Sequence, residues 1–346
     1  MNYKWDFLYE YCKRIFLKVE VPEEQAEIMS LALVESDLLG VKTHGISRLN
    51  FYVDHLLNGT INPAPQFRTL SDFASIKLID ADRSMGPVIA DFAMKEAVSK
   101  AKETGVGVVC VRNSSHMGTL SITTKKAAKE GLIGLAITNT SPIMAPWGGA
   151  EPTLGNNPIS IAIPNGNPFP YVLDMALSIT ARGNIILAAR DGKEIPIDWA
   201  VDADGKPTTN AADALKGAVL PLAQHKGYAL AFMFDVLSGV LSGAAYGKNV
   251  GSFVPPDFSK PLNMGHFIMA IDIEKFTSIN EFINRLKDYV SQIKSSKKAV
   301  GCESILVPGD IEEKRYIENK AKGIVLGDET VRVLIELGEK VGVSFN

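Results

Sequence analysis

The stretch Gly105-Val106-Gly107-Val108-Val109-Cys110-Val111-Arg112-Asn113-Ser114-Ser115-His116-Met117-Gly118 decides the fold class. Val106 to Val111 holds four valines in six residues and no charge, which reads as a strand buried on both faces. A polar, glycine-ended loop follows, and then a helix through Glu130. This order bears on what can bind there. In a dinucleotide-binding Gly-x-Gly-x-x-Gly turn the glycines come after the strand, whereas Gly105-Val106-Gly107 lies before one and has no third glycine at the needed spacing. The usual Rossmann fingerprint is therefore missing, and no Walker-type loop replaces it.

Working outward, Ser75 to Asp80 reads as a strand and Pro87 to Thr104 as a helix, while Leu132 to Thr138, Ile159 to Pro164 and Tyr171 to Leu173 read as further strands. Loop chemistry fills Thr140 to Asn157. From Asp174 a helix is expected to about Arg190. A glycine-rich, tightly packed buried helix is expected over Tyr228 to Tyr246, where Gly239 and Gly243 would admit a second helix, and a strand over Gly265 to Ile273. The alternation predicts an α/β fold with a mixed sheet.

The N-terminal part has a different pattern. Residues 3 to 18 and 22 to 39 read as helices, the second with Pro22 and two acids at its start and Gly40 as its stop. A third runs from Ile46 to Asn58, after which Asn62-Pro63-Ala64-Pro65 breaks the chain. Two domains follow from this: a helical one over 1–75, joined by the helices of 300–346, and an α/β one over 76–299. Val307-Pro308-Gly309-Asp310 interrupts the helical tail.

At 346 residues, with 46% apolar and 22% charged residues, the chain has the composition of a folded soluble protein. A net charge of -3 gives no basic footprint for nucleic acid, and Lys294 to Lys298 is too short a run to change that. Asp235 interrupts the longest apolar run, which argues against a membrane span. The N-terminus lacks the apolar core of an export signal. Three scattered cysteines, Cys12, Cys110 and Cys302, suit a reducing, cytoplasmic setting. No metal-ligand spacing occurs, so no metal is expected.

Chemistry gathers at Gly40-Val41-Lys42-Thr43-His44-Gly45-Ile46-Ser47-Arg48-Leu49-Asn50-Phe51-Tyr52. On a helix turning about 100° per residue, His44, Arg48 and Tyr52 share one face. Ile46, Leu49, Val53, Leu56 and Leu57 share roughly the opposite one, as a core stripe. A proton donor, a carboxylate fork and a phenol would suit a small 2-oxo or 2-hydroxy acid. Of the five histidines, His44 and His116 stand in glycine-flanked loops where functional groups are displayed. His55 reads as surface and His266 as structural. His225-Lys226-Gly227 opens a helix whose free amides could hold a phosphate. Asp174 ends a strand and could accept from a ribose hydroxyl, or serve only as an N-cap.

Several motifs, in order, carry a resemblance: Leu39-Gly40-Val41-Lys42-Thr43-His44-Gly45-Ile46-Ser47-Arg48-Leu49, Asn113-Ser114-Ser115-His116-Met117-Gly118, Ala145-Pro146-Trp147-Gly148-Gly149 and Gly155-Asn156-Asn157-Pro158. Asp174-Met175-Ala176, Ala181-Arg182-Gly183, His225-Lys226-Gly227-Tyr228, Asp235-Val236-Leu237-Ser238-Gly239 and Gly265-His266-Phe267 continue it. Over nearly the whole chain the sequence resembles the malate/L-lactate dehydrogenase family that is distinct from the Rossmann enzymes of those names. The resemblance implies homodimers with a non-Rossmann, seven-stranded mixed sheet that bind NAD or NADP. It makes His44 the proton donor, Thr43 its relay and Arg48 the substrate fork, with Asn156, Arg182 and Gly183 near the substrate, where helical spacing also puts Tyr52. His116, Met117, Gly118, Thr119, Leu120, Asp174, Met175, Ala176, His225, Lys226, Pro308, Gly309 and Asp310 would face the cofactor, His116 also lining the catalytic site.

Three departures from the family pattern stand out. Thr43 replaces a usual Ser and keeps the hydroxyl, Asn156 replaces a common Thr, and Asn184 stands where ketimine reductases carry an acid. Asn156 and Asn184 are expected on the wall opposite His44. The stretch Ile195 to Asp202 and the helix after Lys226 resemble the ureidoglycolate dehydrogenase branch most. The expected function is NAD(P)-dependent interconversion of a small 2-hydroxy acid and its 2-oxo acid. A non-catalytic carboxylate or nucleotide sensor of the same fold is the alternative.

Overall fold

The computed structural model describes residues Asn2 to Phe345. Its N-terminal part runs Asn2–Tyr3 (β1), Trp5–Lys18 (α1), Glu23–Leu38 (α2), a 3-10 turn over Ile46–Arg48 and Leu49–Leu57 (α3). The chain then alternates: Arg68–Phe73 (β2), Ile76–Ser84 (β3), Gly86–Thr104 (α4), Val106–Ser114 (β4), Leu120–Lys129 (α5), Leu132–Thr138 (β5), Ile159–Ile163 (β6) and Tyr171–Met175 (β7). Next come Arg182–Arg190 (α6), Ala200–Val201 (β8), Ala211–Ala214 (α7), Ala218–Val219 (β9), His225–Asp235 (α8) with a π-type turn over Val236–Val240, and Met264–Asp272 (β10). Ile279–Ser295 (α9), Asp310–Lys322 (α10), Ile324–Val325 (β11) and Asp328–Val341 (α11) complete it.

The main sheet is seven-stranded and mixed, in the order β2-β3-β4-β10-β5-β6-β7. Only β3 and β4 pair in parallel, joined by the crossover helix α4; the other pairs are antiparallel. The valine-rich β4 occupies a central place between β3 and β10, as its continuous apolar run requires. Gly107 in β4 lets α4 sit directly on the strand, since a Cβ there would overlap the Ala97 carbonyl.

A second core runs through the helical part. Leu8, Ile15, Phe16, Met29, Leu33, Ile46, Leu49 and Val53 pack with Leu334 and Leu337 of α11. The β1–β11 pair ties the two ends of the chain together, with Asn2 opposite Val325.

Three elements depart from the expectations. Strand β2 lies inside the stretch expected to be helical; all six of its residues are exposed, so no apolar alternation marks it. Asp174 continues β7 instead of opening a helix, and residues 177–179 pair by backbone bonds with 220–222 before α6 begins at Arg182. The glycine-rich helix is neither continuous nor buried, since it passes into the π-type turn and exposes Leu230, Phe232, Met233, Val240, Leu241 and Tyr246. Gly239 meets Asn139 and the Ala245 carbonyl, not another helix.

Candidate active site

Helix α2 ends at Gly40, whose φ of +80° turns the chain back toward the sheet. The returning segment does not start a helix at once. His44 precedes the 3-10 turn, so it meets Arg48 through the turn and not along one helical face. Arg48 Nε donates to the Thr43 carbonyl at 2.6 Å, and Thr43 Oγ1 lies 3.0 Å from His44 Nδ1. The Arg48 guanidinium rests over the Phe51 ring at 5.3 Å. Among the described residues, neither His44 Nε2 nor the terminal nitrogens of Arg48 have a hydrogen-bond partner. Burial, reinforced by the Arg48 charge, pulls His44 down to about 4.

Tyr52 is not part of an open polar wall. It is 1% exposed, and its hydroxyl donates to the His116 carbonyl at 3.0 Å while lying 2.9 Å from His116 Nδ1. With one hydroxyl proton, both contacts are satisfied when His116 Nδ1–H donates to Tyr52, which leaves His116 Nε2 as an acceptor. His116 stacks against His44 at 5.3 Å between ring centroids and, on its other side, against Phe253 at 4.6 Å and 8°. His55 continues the column, parallel to Phe253 at 5.2 Å. His55 is thus a correction: it is wholly buried, with Thr60 Oγ1 2.7 Å from its Nδ1. Leu57, expected in the core stripe, is exposed.

Phe253 was not legible as a site residue, because it comes from a loop with no periodic pattern. His266 is structural as expected, bonded to Thr138 and Ser114 at the centre of the sheet. Arg182 donates to the Leu215 carbonyl at 3.2 Å, and Gly183 brings the start of α6 against the His44 turn, its missing Cβ pointing to Thr43 Cγ2. Asn156 accepts from Thr140 Oγ1 at 2.9 Å. Asn184 is exposed and donates to Thr180 on its own helix start, so no contact brings it to His44.

Several of the segments expected to face a dinucleotide meet around β7. Asp174 Oδ2 accepts the Ser121 N–H at 2.8 Å, joining the end of β7 to the start of α5. The Pro308 carbonyl accepts the Val172 N–H at 3.2 Å, and Gly309, with φ of +99°, fits against β7, where a Cβ would lie 3.0 Å from the Val172 nitrogen. Met117 and Leu120 are buried beneath, and Gly118 takes a φ of +72° before Thr119. His225 and Lys226 stand exposed at the start of α8, whose Tyr228 packs with Met175. The first turn of α5 gives its Ser121 N–H to Asp174 and its Ile122 N–H to the Thr119 carbonyl, and in α8 the Lys226 and Tyr228 N–H groups bond to backbone carbonyls; among the described residues the Leu120 and His225 N–H groups lead their helices without an acceptor and can meet phosphate oxygens. The donor set therefore fits a dinucleotide. Among the described residues, no group of three or more His, Cys, Asp or Glu is placed to hold a metal ion.

The family model described as malate/L-lactate dehydrogenase matches residues 3–335. The chain belongs to the malate/L-lactate dehydrogenase family. Malate dehydrogenase of Pyrococcus horikoshii is 40% identical over 98% of this chain and 95% of its own length. The solved sulfolactate dehydrogenase of Methanocaldococcus jannaschii superposes with a TM-score of 0.93 at 38% identity, covering 100% of this chain and 98% of that one. Ureidoglycolate dehydrogenase (NAD(+)) of Escherichia coli O157:H7 is 30% identical over 97% of this chain and 95% of its own length. Both NAD(+) and NADP(+) occur in the relatives' names. Among the described residues of this family member no helix is long and apolar enough to cross a membrane.

Proposed function

We propose that the protein interconverts a small 2-hydroxy acid and its 2-oxo acid with NAD or NADP, His44 giving and taking the substrate proton. The observation that carries this reading is the locked Thr43-His44-Arg48 turn, in which Nε2 of the imidazole and the guanidinium fork are both left without protein partners. Arg48 grips the substrate carboxylate on two nitrogens and so fixes the carbonyl beside His44. Thr43 holds Nδ1, leaving Nε2 to pass the proton to the carbonyl oxygen. The stacked His116 and Phe253 exclude water from one side of that imidazole. When bound, the reduced nicotinamide supplies the hydride. Asp174, Lys226 and the Leu120 and His225 amides that lead α5 and α8, with Pro308, Gly309 and Asp310, are the groups that would hold the dinucleotide. Arg182 and Gly183 would border the substrate side, where Gly183 approaches Thr43, and Asn156 is proposed to line the wall opposite His44. Tyr52 acts through His116.

Greater identity to the malate dehydrogenase than to the ureidoglycolate dehydrogenase supports a substrate of the malate or sulfolactate type ahead of ureidoglycolate. The exposed apolar face of α8 supports a homodimer, because a second copy would cover it. Free Cys12, Cys110 and Cys302 support a cytoplasmic setting. We place the division between helical and α/β parts just before β2, near residue 67.

The test is a panel of oxaloacetate, pyruvate, sulfopyruvate and oxalurate, each with NADH and with NADPH, followed by absorbance. At least one acid should be reduced, and His44→Ala should abolish that turnover while still binding the cofactor. A near-normal kcat in the variant would remove His44 from the proposed role. No turnover with any pair would favour a sensor.

A further inference from the structure

The last turn of α2 carries three neighbouring side chains that each reach a different part of the site. Asp37, only 3% exposed, accepts the Ile46 N–H on Oδ2 at 2.7 Å, at the head of the 3-10 turn behind His44. Gly45 is packed onto the same carboxyl so tightly that a Cβ there would overlap it. Ser36 Oγ, wholly buried, donates to the Ala32 carbonyl at 2.7 Å and so accepts from Thr119 Oγ1 at 2.8 Å, next to the start of α5. Glu35 forms an ion pair with the buried Lys125 one turn further along α5. The Asp37 and Leu38 carbonyls are in turn held by Asn319 of α10 at 3.3 and 3.0 Å.

We infer that this turn positions both halves of the site: Asp37 sets the His44 turn, and Ser36 sets the cofactor-facing start of α5. The inference rests on the proposed reading of His44 as proton donor. A carboxylate buried this deeply is costly to keep unless it does something that a neutral apolar side chain cannot. Burial pushes Asp37 up to about 7, with Lys42 and the Ile46 N–H acting against that rise. Its one strong acceptor contact is the amide that fixes the backbone just past His44. The 3-10 turn over Ile46–Arg48 has no side-chain cap of its own, so Asp37, remote in sequence, takes the place of one. Ser36 acts one residue earlier on the same turn. Because the two residues point to different segments, their loss separates into different readouts, which a general weakening of the fold would not produce.

The experiment compares Asp37→Ala, Asp37→Asn and Ser36→Ala, using the panel acid reduced fastest together with NADH. The His44 ring resonance is followed by NMR on histidine-labelled protein and assigned with His44→Gln; five histidines keep the spectrum simple. In Asp37→Ala, kcat should fall about 10- to 100-fold, the scale of a small misplacement of a reacting group, with the NADH Kd within about twofold. The His44 resonance should move and titrate nearer 6.5, the ordinary histidine value. Asp37→Asn keeps an oxygen for the Ile46 N–H and should recover most of the kcat. Ser36→Ala should raise the NADH Kd about 3- to 10-fold, the worth of about one hydrogen bond, and leave the His44 titration in place. If Asp37→Ala does not fold, Asp37→Ser takes its place. An unmoved His44 resonance in a folded position-37 variant, or equal losses in every readout from both positions, would overturn the inference. A moved resonance with normal kcat would leave the positioning standing and remove His44 as proton donor.

Discussion

His44 is held neutral in the free protein by its surroundings, and this has a consequence for rate. Burial and the Arg48 charge place its titration near 4. In its proposed role, His44 must be protonated to reduce an oxo acid and neutral to oxidise a hydroxy acid. In the free protein the protonated fraction falls tenfold for each pH step above the titration point. So kcat/KM for reduction should decline steadily from pH 5 to 8, while kcat/KM for oxidation stays level. A bound carboxylate pairs with Arg48 and cancels the opposing charge, so kcat for reduction should hold to higher pH than kcat/KM. Profiles in both directions check this, and a level kcat/KM for reduction over that range would contradict it. At this scale the sequence named His44, Arg48 and Thr43 as one group by residue type, and the structure brings the three together. It misplaced Tyr52, which helical spacing put on an open polar face but which is buried and bonded to His116.

Among the elements, the strands around β10 depend on one buried histidine. His266 joins three of them, its Nδ1 2.8 Å from Thr138 Oγ1 in β5 and its Nε2 2.7 Å from Ser114 Oγ in β4. Burial lowers it to about 3. Between that value and 6.5 the unfolded chain binds the proton more readily than the folded one, so stability is lost as pH falls through this window. His266→Leu removes the imidazole partner of the buried Ser114 hydroxyl and one of the contacts of Thr138, which keeps its carbonyl acceptors, and should cost about 1 to 3 kcal/mol at pH 7. The variant should also lose less stability than the wild type between pH 6.5 and 4.5; urea unfolding at the two pH values measures both effects. Equal losses in the two proteins would mean that His266 is not the group responsible. The central strands were legible because burial on both faces leaves a bare apolar run. Strand β2 was not, since an edge strand with both faces wet carries no such mark.

Among the described residues, α8 and the turn after it present a run of large apolar side chains to solvent. Leu230, Phe232, Met233, Val240 and Leu241 are each about half exposed along α8 and its π-type turn. A face of this kind is normally covered. Sedimentation should give twice the mass of the chain, and Phe232→Asp with Met233→Asp should shift it toward a monomer. Because His225 and Lys226 open the same helix, that pair of substitutions should also raise the KM for the cofactor by more than about threefold, the effect of roughly one lost contact. A monomeric wild type would rule out this use of the face.

Sequence alone determined the α/β alternation and the absence of a Rossmann fingerprint, and it supplied the residue types behind the proposed proton donor and carboxylate fork. These are properties of residue type and local period, which the chain carries wherever it folds. Only the tertiary structure decided that Asp37 caps the His44 turn, that Phe253 and Tyr52 hold His116, and that His55 is buried. Each of those is a contact between residues far apart in the chain, or a choice of which side of a helix meets the core. Gly105 to Gly118 shows both sides of this: its valines declare the strand, but His116 acquires its place only when β4 delivers it between His44 and Phe253.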